Sequence, residues 1–205
     1  MSEHYFTAHP HSSNEVYEFD VQLLESHYHI RTQAGIFSPR GLDKGSAVFL
    51  HKVPLVDLNP GSLAVDLGCG WGPLTLALAQ SHPESEVIAV DVNERALALS
   101  ADNAKRNGLN NVTASMPEAA ITQLEQTGRT IDLLWSNPPI RIGKTQLHDL
   151  LTRWLNLLSP EGVAYLVVQK NLGADSLIKW LNNQAHTASK VGSSQGYRVI
   201  EVRLA

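Results

Sequence analysis

Apolar and polar positions follow a regular strand-and-helix alternation from residue 63 onward. Short apolar runs predict seven strands, and the longer stretches between them predict helices. The predicted strands are residues 63–67, 86–91, 112–115, 131–136, 161–168, 186–191 and 197–203. The predicted helices are residues 72–81, 93–107, 144–158 and 173–183. Strands and helices that alternate at this spacing indicate a parallel sheet with right-handed crossovers.

The two ends of the chain depart from this alternation. Residues 16–19 and 28–32 alternate apolar and polar positions, which predicts two half-buried strands. Asp43 is placed to cap a helix that runs to about Val56. The last two predicted strands have little chain between them, so we expect them to pair as an antiparallel hairpin. Such a hairpin at the end of a parallel sheet is unlike the dehydrogenase-type fold.

Composition narrows the class of protein. The 205 residues, 43% of them hydrophobic, suffice for one α/β domain. We expect a flexible arm over residues 1–14 and one domain over 15–205, divided into an extension (15–60) and a core (61–205). No apolar run is long enough to cross a bilayer, and the N-terminus lacks a secretory-signal pattern. The single cysteine, Cys69, suits a reducing compartment, so we expect a cytoplasmic protein without a membrane partner.

Charge is distributed unevenly behind a net value of −4. Residues 31–52 hold four bases against one acid, and residues 141–205 hold eight bases against four acids. If the fold brings these two segments together, they form a positive face that attracts phosphates. The alternative is a chance scatter of surface charge. Histidines cluster near the N-terminus, but their spacing matches no ligand pattern, so we expect no metal site.

A glycine-rich turn follows the first strand of the core, where residues 65–74 read VDLGCGWGPL. Glycine accepts positive φ and lets the backbone approach a ligand closely, although such turns also occur without one. Asp66 would repel a pyrophosphate but attract a cationic ammonium, directly or through water. Pro73 removes a backbone donor that an anion would use. This chemistry favours a sulfonium nucleoside that carries an amino acid over a dinucleotide.

Two further strand ends are candidate nucleoside contacts. Asp91 ends the second core strand, where a carboxylate accepts ribose hydroxyls. Its alternative role is to cap the next helix, for which Asn93 is better placed. Ser115 and Met116 follow the third core strand, where an adenine ring is expected to stack. Met116 can cover the ring but is a weak hydrogen-bond acceptor, so adenine recognition there falls to the backbone.

The fourth core strand ends in the turn Asn137-Pro138-Pro139-Ile140. Prolines fix φ and carry no donor, so the turn presents carbonyl groups and the Asn137 side chain in a rigid array. The Asn137 side-chain oxygen and the Pro138 carbonyl can each accept one N–H bond from an amine or amide nitrogen. That nitrogen would then aim its lone pair at a methyl group. The alternative is a plain strand-ending turn, but the carboxyl edge of a parallel sheet is where ligands bind.

These motifs resemble the class I S-adenosylmethionine-dependent methyltransferases. The likeness is to the small-domain type that includes bacterial small-subunit ribosomal RNA guanine-N2 methyltransferases, and it covers residues 15–205. It is carried by GIFSPRGLDKGS (35–46), VDLGCGWG (65–72), VDVN (90–93) and SNPPI (136–140). The resemblance implies an α/β, Rossmann-like, seven-stranded and mostly parallel sheet with an antiparallel last strand. It further implies helices on both faces and a short N-terminal β extension.

The resemblance also implies ligands and site residues. The implied cofactor is S-adenosyl-L-methionine, and the implied partner is ribosomal RNA or the small ribosomal subunit. The oligomeric state is open between monomer and homodimer. Asn137 and Pro138 are the expected catalytic residues. The expected cofactor-binding residues are Asp66, Gly68, Cys69, Gly70, Gly72, Asp91, Val92, Ser115, Met116 and Asn137. The expected substrate-binding residues are Phe37, Arg40, Pro139, Ile140, Arg141, Lys144 and Lys170.

One position departs from the family pattern. Many members carry an aromatic residue after the two prolines, where this chain has Ile140. Stacking on the acceptor base therefore either comes from Phe37 or is weaker. Three alternatives stay open: methylation of a protein glutamine amide, methylation of adenine N6, and a cofactor-binding module without methyltransferase activity. The terminal hairpin and the glycine spacing count against an oxidoreductase.

Overall fold

The central element of the fold is a seven-stranded sheet, seen in a computed structural model that describes residues 15–205. The predicted arm over residues 1–14 lies outside the described residues. The strands of this sheet are β3 (Leu63–Leu67), β4 (Glu86–Val90), β5 (Val112–Ser115), β6 (Ile131–Ser136), β7 (Leu158–Gln169), β8 (His186–Ser194) and β9 (Tyr197–Leu204). Two further strands, β1 (Val16–Leu23) and β2 (Ser26–Gln33), form a separate antiparallel pair.

The strand order in the sheet is β5-β4-β3-β6-β7-β9-β8. β3 to β7 pair in parallel, whereas β9 is antiparallel to both of its neighbours. The predicted mostly parallel sheet with an antiparallel last strand is therefore confirmed. The chain order reverses between β3 and β6, and Leu67 pairs with Ser136 there. The loops that follow these two strands consequently leave the sheet side by side, which creates a crevice for a ligand.

Six helices cover the two faces of the sheet in the described part of the chain. They are α1 (Lys44–Lys52), α2 (Pro73–Ser81), α3 (Glu94–Arg106), α4 (Pro117–Thr127), α5 (Lys144–Leu155) and α6 (Ala174–Asn182). Side chains of α1 to α3 pack with Ala64 in one buried cluster. Side chains of α4 to α6 pack with Leu63 and Val65 in the other. Both faces of β3 are covered, which explains why its sequence is almost continuously apolar. Within residues 15–205, no helix has the length and apolar character that crossing a membrane requires.

The structure corrects several predicted boundaries and adds a helix; β1 continues to Leu23 rather than 19, and β8 continues to Ser194 rather than 191. α1 ends at Lys52 rather than near Val56, because Pro54 disfavours helical geometry in the residue before it. Helix α4 was missed, since its buried face consists of only three residues, Ala120, Ile121 and Leu124. α5 ends at Leu155 and β7 begins at Leu158, three residues earlier than predicted.

The β1–β2 pair is held to the core by side-chain amides of α3. Asn103 donates to the carbonyl of Arg31 over 3.0 Å and accepts from its N–H over 2.9 Å. Asn107 makes the same two bonds with His29, over 3.0 and 3.1 Å. These amides bond to β2 as a neighbouring strand would. They fix where the chain leaves β2 and enters the segment that leads to α1.

Candidate active site

A cavity opens at the carboxyl ends of β3, β4, β6 and β7, where the fold places the predicted cofactor and acceptor motifs together. Its wall includes six of the predicted cofactor-binding and catalytic residues, namely Gly68, Gly70, Asp91, Val92, Asn137 and Pro138. Four residues of the predicted substrate set also line it, namely Phe37, Pro139, Ile140 and Arg141. Two motifs far apart in sequence thus share one concave site, as ligand sites of open parallel sheets do.

Asp66 lies behind the glycine-rich turn rather than on the cavity wall. Its side chain is fully buried, and its Oδ2 accepts a hydrogen bond from the Thr75 hydroxyl over 2.6 Å. Oδ1 has no hydrogen-bond partner among residues 15–205. Burial raises the pKa of Asp66 to about 7, against the opposing effect of the Thr75 bond. A buried carboxylate oxygen without a donor is costly unless a ligand or water satisfies it.

Asp91 joins the glycine-rich turn to the start of α3. Its Oδ2 accepts from the Gly70 N–H over 3.0 Å, and its Oδ1 accepts from the Asn93 N–H over 2.9 Å. Asn93, not Asp91, caps α3 by accepting from the N–H groups of Arg95 and Ala96. Burial raises the pKa of Asp91. Each carboxylate oxygen accepts one backbone bond and keeps a lone pair for a ligand hydroxyl.

The glycines of the turn have different surroundings. Gly70 has φ +55°, and a Cβ there would meet no protein atom within 4 Å, because the position faces the open cavity. Gly72 has φ +98°, and a Cβ there would lie 2.8 Å from the Ser100 hydroxyl. Gly72 therefore serves the packing of α2 against α3 and does not line the cavity. Cys69 is buried, with its Sγ 3.7 Å from the Gly70 carbonyl oxygen.

The predicted adenine segment lies beside the cavity but not on its wall. Ser115 donates to the Met116 carbonyl over 3.2 Å, and Met116 occupies the capping position of α4. The wall is formed there by the following residue, Pro117, together with the half-exposed side chain of Val92. An apolar surface of this kind is suited to the face of a ring.

Asn137 is held by the N-terminus of α1. Its Nδ2 donates to Asp43 Oδ1 over 3.0 Å and to the Ser46 hydroxyl over 3.2 Å. Because a carboxylate only accepts hydrogen bonds, the amide nitrogen must face Asp43. The amide oxygen of Asn137 accepts no hydrogen bond from residues 15–205, and Asn137 lines the cavity. The site therefore offers a fixed, free acceptor atom.

The turn after Asn137 is closed by a hydrogen bond of its own. The Pro138 carbonyl accepts from the Ile140 N–H over 2.8 Å, and residues Ile140–Ile142 form one turn of 3-10 helix. A carbonyl oxygen has two lone pairs, so Pro138 keeps one for a ligand N–H. Pro139 and Ile140 continue the cavity wall beyond it.

The loop between β2 and α1 carries Phe37 to the mouth of the cavity. The Thr32 hydroxyl donates to the Pro39 carbonyl, and Asn93 Nδ2 donates to the Gly35 carbonyl over 3.0 Å. These bonds fix both sides of the loop around Phe37. Phe37 is 45% exposed and lines the cavity, so the loop places an aromatic side chain at the mouth.

The predicted cations differ in their placement. Arg141 is exposed and lines the cavity. Arg40 instead stacks its guanidinium 5.0 Å from the centroid of the Tyr17 ring and donates to the Tyr17 hydroxyl. Lys144 and Lys170 are exposed and lie outside the wall. Of the four predicted cations, Arg141 alone lines the cavity wall, and the prediction that Arg40, Lys144 and Lys170 line it is not met.

Several residues that line the site were not predicted to do so, among them Asp43, Gln169 and Tyr197. Asp43 was recognised only as a helix cap, although it also contacts Asn137. Gln169 ends β7, and a polar residue at the carboxyl end of a parallel strand was an available signal. Tyr197 begins β9 and pairs with Gln169, which only the observed strand order reveals.

Comparison with known proteins decides the family. The family model described as "Methyltransferase small domain" matches residues 27–201. This chain belongs to the methyltransferase small-domain family. The match covers the Phe37 loop, the glycine-rich turn and the Asn137 turn, so every part of the cavity wall described above lies within the family region.

Two relatives are similar to this chain in sequence, and one solved structure is similar to it in fold. The uncharacterized protein YbxB of Bacillus subtilis (strain 168) is 30% identical over 203 residues, which covers 99% of each chain. Ribosomal RNA small subunit methyltransferase C of Shewanella amazonensis is 30% identical over 146 residues, covering 71% of this chain but only 40% of that protein. The structure of the T. thermophilus 16S rRNA N2 G1207 methyltransferase, in complex with AdoMet and guanosine, superimposes with a TM-score of 0.72 at 22% identity. It covers 97% of this chain and 53% of the other, and it establishes the shared fold.

Proposed function

We propose that this methyltransferase uses S-adenosylmethionine to methylate the exocyclic N2 amine of a guanine in small-subunit ribosomal RNA. The observation that carries the proposal is the orientation of Asn137. Its amide nitrogen is bound by Asp43, which leaves its oxygen as a free acceptor on the wall of a cavity shared with the glycine-rich turn. An acceptor atom at that place suits a substrate nitrogen that carries hydrogens.

The residues of the cavity fit S-adenosylmethionine. Gly68 and Gly70 leave room for close approach of a ligand to the backbone. Asp91 keeps one lone pair on each carboxylate oxygen for the two ribose hydroxyls. Asp66 Oδ1 is a buried acceptor without a donor, and an ammonium group, directly or through water, would satisfy it. When bound, the sulfonium supplies an electrophilic methyl group.

The acceptor amine requires orientation more than a base. The lone pair of an exocyclic amine is delocalised into the ring, so the nitrogen is a weak nucleophile. Two acceptors, the Asn137 side-chain oxygen and the remaining lone pair of the Pro138 carbonyl, would bind its two hydrogens. This arrangement directs the lone pair toward the methyl group, and such orientation contributes several kcal/mol to lowering a barrier. The proton is lost after transfer, when the nitrogen has become acidic.

The rim of the cavity suits a base within an RNA strand. Phe37 contributes an aromatic ring to the wall and Ile140 an apolar side chain, and a base could stack on such a ring. Arg141 on the wall provides a cation for a flanking phosphate, and the exposed Lys144 and Lys170 are further candidates. Relatives named as ribosomal RNA small subunit methyltransferases support this substrate, although the chain aligns with less than half of the Shewanella protein.

Transfer of label tests the proposal. The protein is incubated with methyl-labelled S-adenosylmethionine and, separately, with small ribosomal subunits, free ribosomal RNA, DNA and a protein extract from cells that lack this gene. We expect label in RNA or in subunit RNA. Label that appears only in protein supports the glutamine-amide alternative and contradicts the RNA proposal. An Asn137→Ala variant should lose transfer while its affinity for S-adenosylmethionine stays close to that of the wild type.

A further inference from the structure

The carboxylate of Asp43 is shared by two parts of the fold. Its Oδ1 accepts from the Ser46 N–H over 3.0 Å, which caps α1, and from Asn137 Nδ2 over 3.0 Å. Asp43 and Asn137 are 94 residues apart in sequence. One oxygen atom therefore links the start of α1 to the turn after β6.

This contact fixes one of the two orientations that the side-chain amide of Asn137 could otherwise adopt. A primary amide can be turned by 180° about its last bond with little steric change, which exchanges its donor and acceptor ends. The Asp43 carboxylate accepts only, and the Ser46 hydroxyl provides a second acceptor at 3.2 Å. Both hydrogens of the Asn137 amide are thus bound on the α1 side, and the oxygen must point the other way.

The packing around this contact is tight. A Cβ placed on Gly45 would lie 3.0 Å from Asp43 Oδ1, 3.1 Å from Asn137 Nδ2 and 3.2 Å from a ring carbon of Tyr197. α1 is anchored to β6, the strand that precedes Asn137, because the buried ring of Phe49 packs edge-on against Trp135 at a centroid distance of 5.2 Å. The close approach of Gly45 and the ring contact between Phe49 and Trp135 hold the start of α1 against the turn that carries Asn137.

We infer that Asp43 is a positioning residue for methyl transfer: it fixes the Asn137 amide so that only its oxygen meets the acceptor nitrogen. The inference rests on the proposed role of Asn137 and deepens it. With the amide reversed, its NH2 group would face the substrate nitrogen, donor against donor. The fixed orientation therefore favours an NH2 or amide N–H over a ring nitrogen or carbonyl oxygen that only accepts hydrogen bonds.

Two substitutions at the same position separate this role from helix capping. Serine caps helices well, so Asp43→Ser keeps a bond to the Ser46 N–H, but the shorter side chain does not reach Asn137. Asp43→Asn keeps an oxygen that accepts from both partners, since the Ser46 N–H selects the oxygen end of the new amide. Asp132→Ala is the matched control. Asp132 accepts from the Leu63 N–H and the Ser159 hydroxyl at the opposite edge of the sheet, so its loss lowers stability away from the cavity.

The first readout does not depend on the substrate. The side-chain amide signals of Asn137 are assigned in a nitrogen-15 NMR spectrum by their loss in Asn137→Ala. We expect these protons to be protected from solvent exchange in the wild type, in Asp43→Asn and in Asp132→Ala, and to lose protection in Asp43→Ser. Unchanged protection in Asp43→Ser would contradict the inference.

The second readout is transfer to the RNA substrate under single-turnover conditions. Asp43→Ser should lower the rate by about 10- to 100-fold, as misplacement of an orienting group does, with S-adenosylmethionine affinity close to the wild-type value. Asp43→Asn should retain most of the rate, and adding Asp43→Ser to Asn137→Ala should cause little further loss. If Asp43→Ser is active and Asn137→Ala is inactive, the positioning role of Asp43 is wrong but the proposed function stands. If Asn137→Ala is active, the proposed function is wrong as well. An Asp43→Asn variant as slow as Asp43→Ser shows that charge, not acceptor geometry, matters, and also overturns the inference.

Discussion

The two oxygens of the Asp66 carboxylate have opposite surroundings, because Oδ2 accepts from the Thr75 hydroxyl over 2.6 Å while Oδ1 meets no donor among residues 15–205. The side chain is fully buried, and this burial raises the pKa of Asp66 to about 7. A substantial fraction of Asp66 is therefore protonated at neutral pH before a ligand binds. A cationic group placed nearby would favour the ionised form and lower this pKa.

Cofactor affinity should therefore depend on pH through Asp66. An S-adenosylmethionine ammonium held by Asp66, as proposed, would bind the ionised carboxylate better, so cofactor affinity should rise from pH 6 to pH 8 and level off above about pH 7. Below that value the limiting slope is about tenfold per pH unit. Titration calorimetry at several pH values measures this slope. Asp66→Asn, which does not titrate, should bind more weakly at pH 8 and show a flatter profile, and an identical slope in this variant would exclude Asp66 as the titrating group.

The free energy of unfolding should also depend on the protonation of Asp66, but the contribution of Asp66 to it should fall as pH rises. The pKa of Asp66 is raised above its ordinary value of 3.8, so the folded state binds more protons than the unfolded state between about pH 4 and pH 7. The contribution of Asp66 to the free energy of unfolding consequently falls as pH rises through this window. Relative to the wild type, Asp66→Asn should gain stability at pH 8 compared with pH 4.5 in urea unfolding. A stability difference that stays constant between these pH values would contradict the assignment.

The two glycines of the turn should fail in different ways when replaced by alanine. Gly72→Ala places a Cβ 2.8 Å from the Ser100 hydroxyl at φ +98°, and should lower the free energy of unfolding by about 1–3 kcal/mol. Gly70→Ala adds a Cβ that meets no protein atom at φ +55°, so its stability cost should be smaller. The new methyl group faces the cavity, however, and should weaken S-adenosylmethionine binding. Thermal unfolding and calorimetry on both variants check this contrast, which equal stability losses would refute.

Replacement of Phe37 should weaken the binding of RNA and leave the binding of S-adenosylmethionine unchanged. Loss of a stacked ring costs about 1–3 kcal/mol per base, so Phe37→Ala should raise KM for RNA by roughly tenfold or more. Phe37→Tyr preserves the ring and should stay close to the wild type, while Phe37→Leu preserves apolar volume without a stacking face. Steady-state kinetics with varied RNA and saturating cofactor separates these variants. If Leu and Tyr behave alike, Phe37 contributes apolar packing rather than stacking.

Most of the fold could be predicted from the sequence, because local patterns of apolar residues specify its strands. Apolar runs marked all seven strands of the sheet, and the short connection before β9 required the hairpin that the structure confirms. The sequence does not predict α4, because a buried face of three residues gives little helical periodicity. Within the site, the turn at Gly70 could be predicted because consecutive residues of one short motif form it. The contact between Asp43 and Asn137 is not, since it depends on how α1 lies against β6.

Identification of the methylated product tests guanine-N2 transfer most directly. Small-subunit RNA from cells that lack this gene is treated with the protein and methyl-labelled S-adenosylmethionine, digested to nucleosides and separated with mass detection. The orientation of Asn137 toward an exocyclic amine and the proposed RNA substrate predict label in N2-methylguanosine, absent when Asn137→Ala replaces the wild type. Label in N6-methyladenosine, in a ring-methylated or ribose-methylated nucleoside, or only in protein would contradict it.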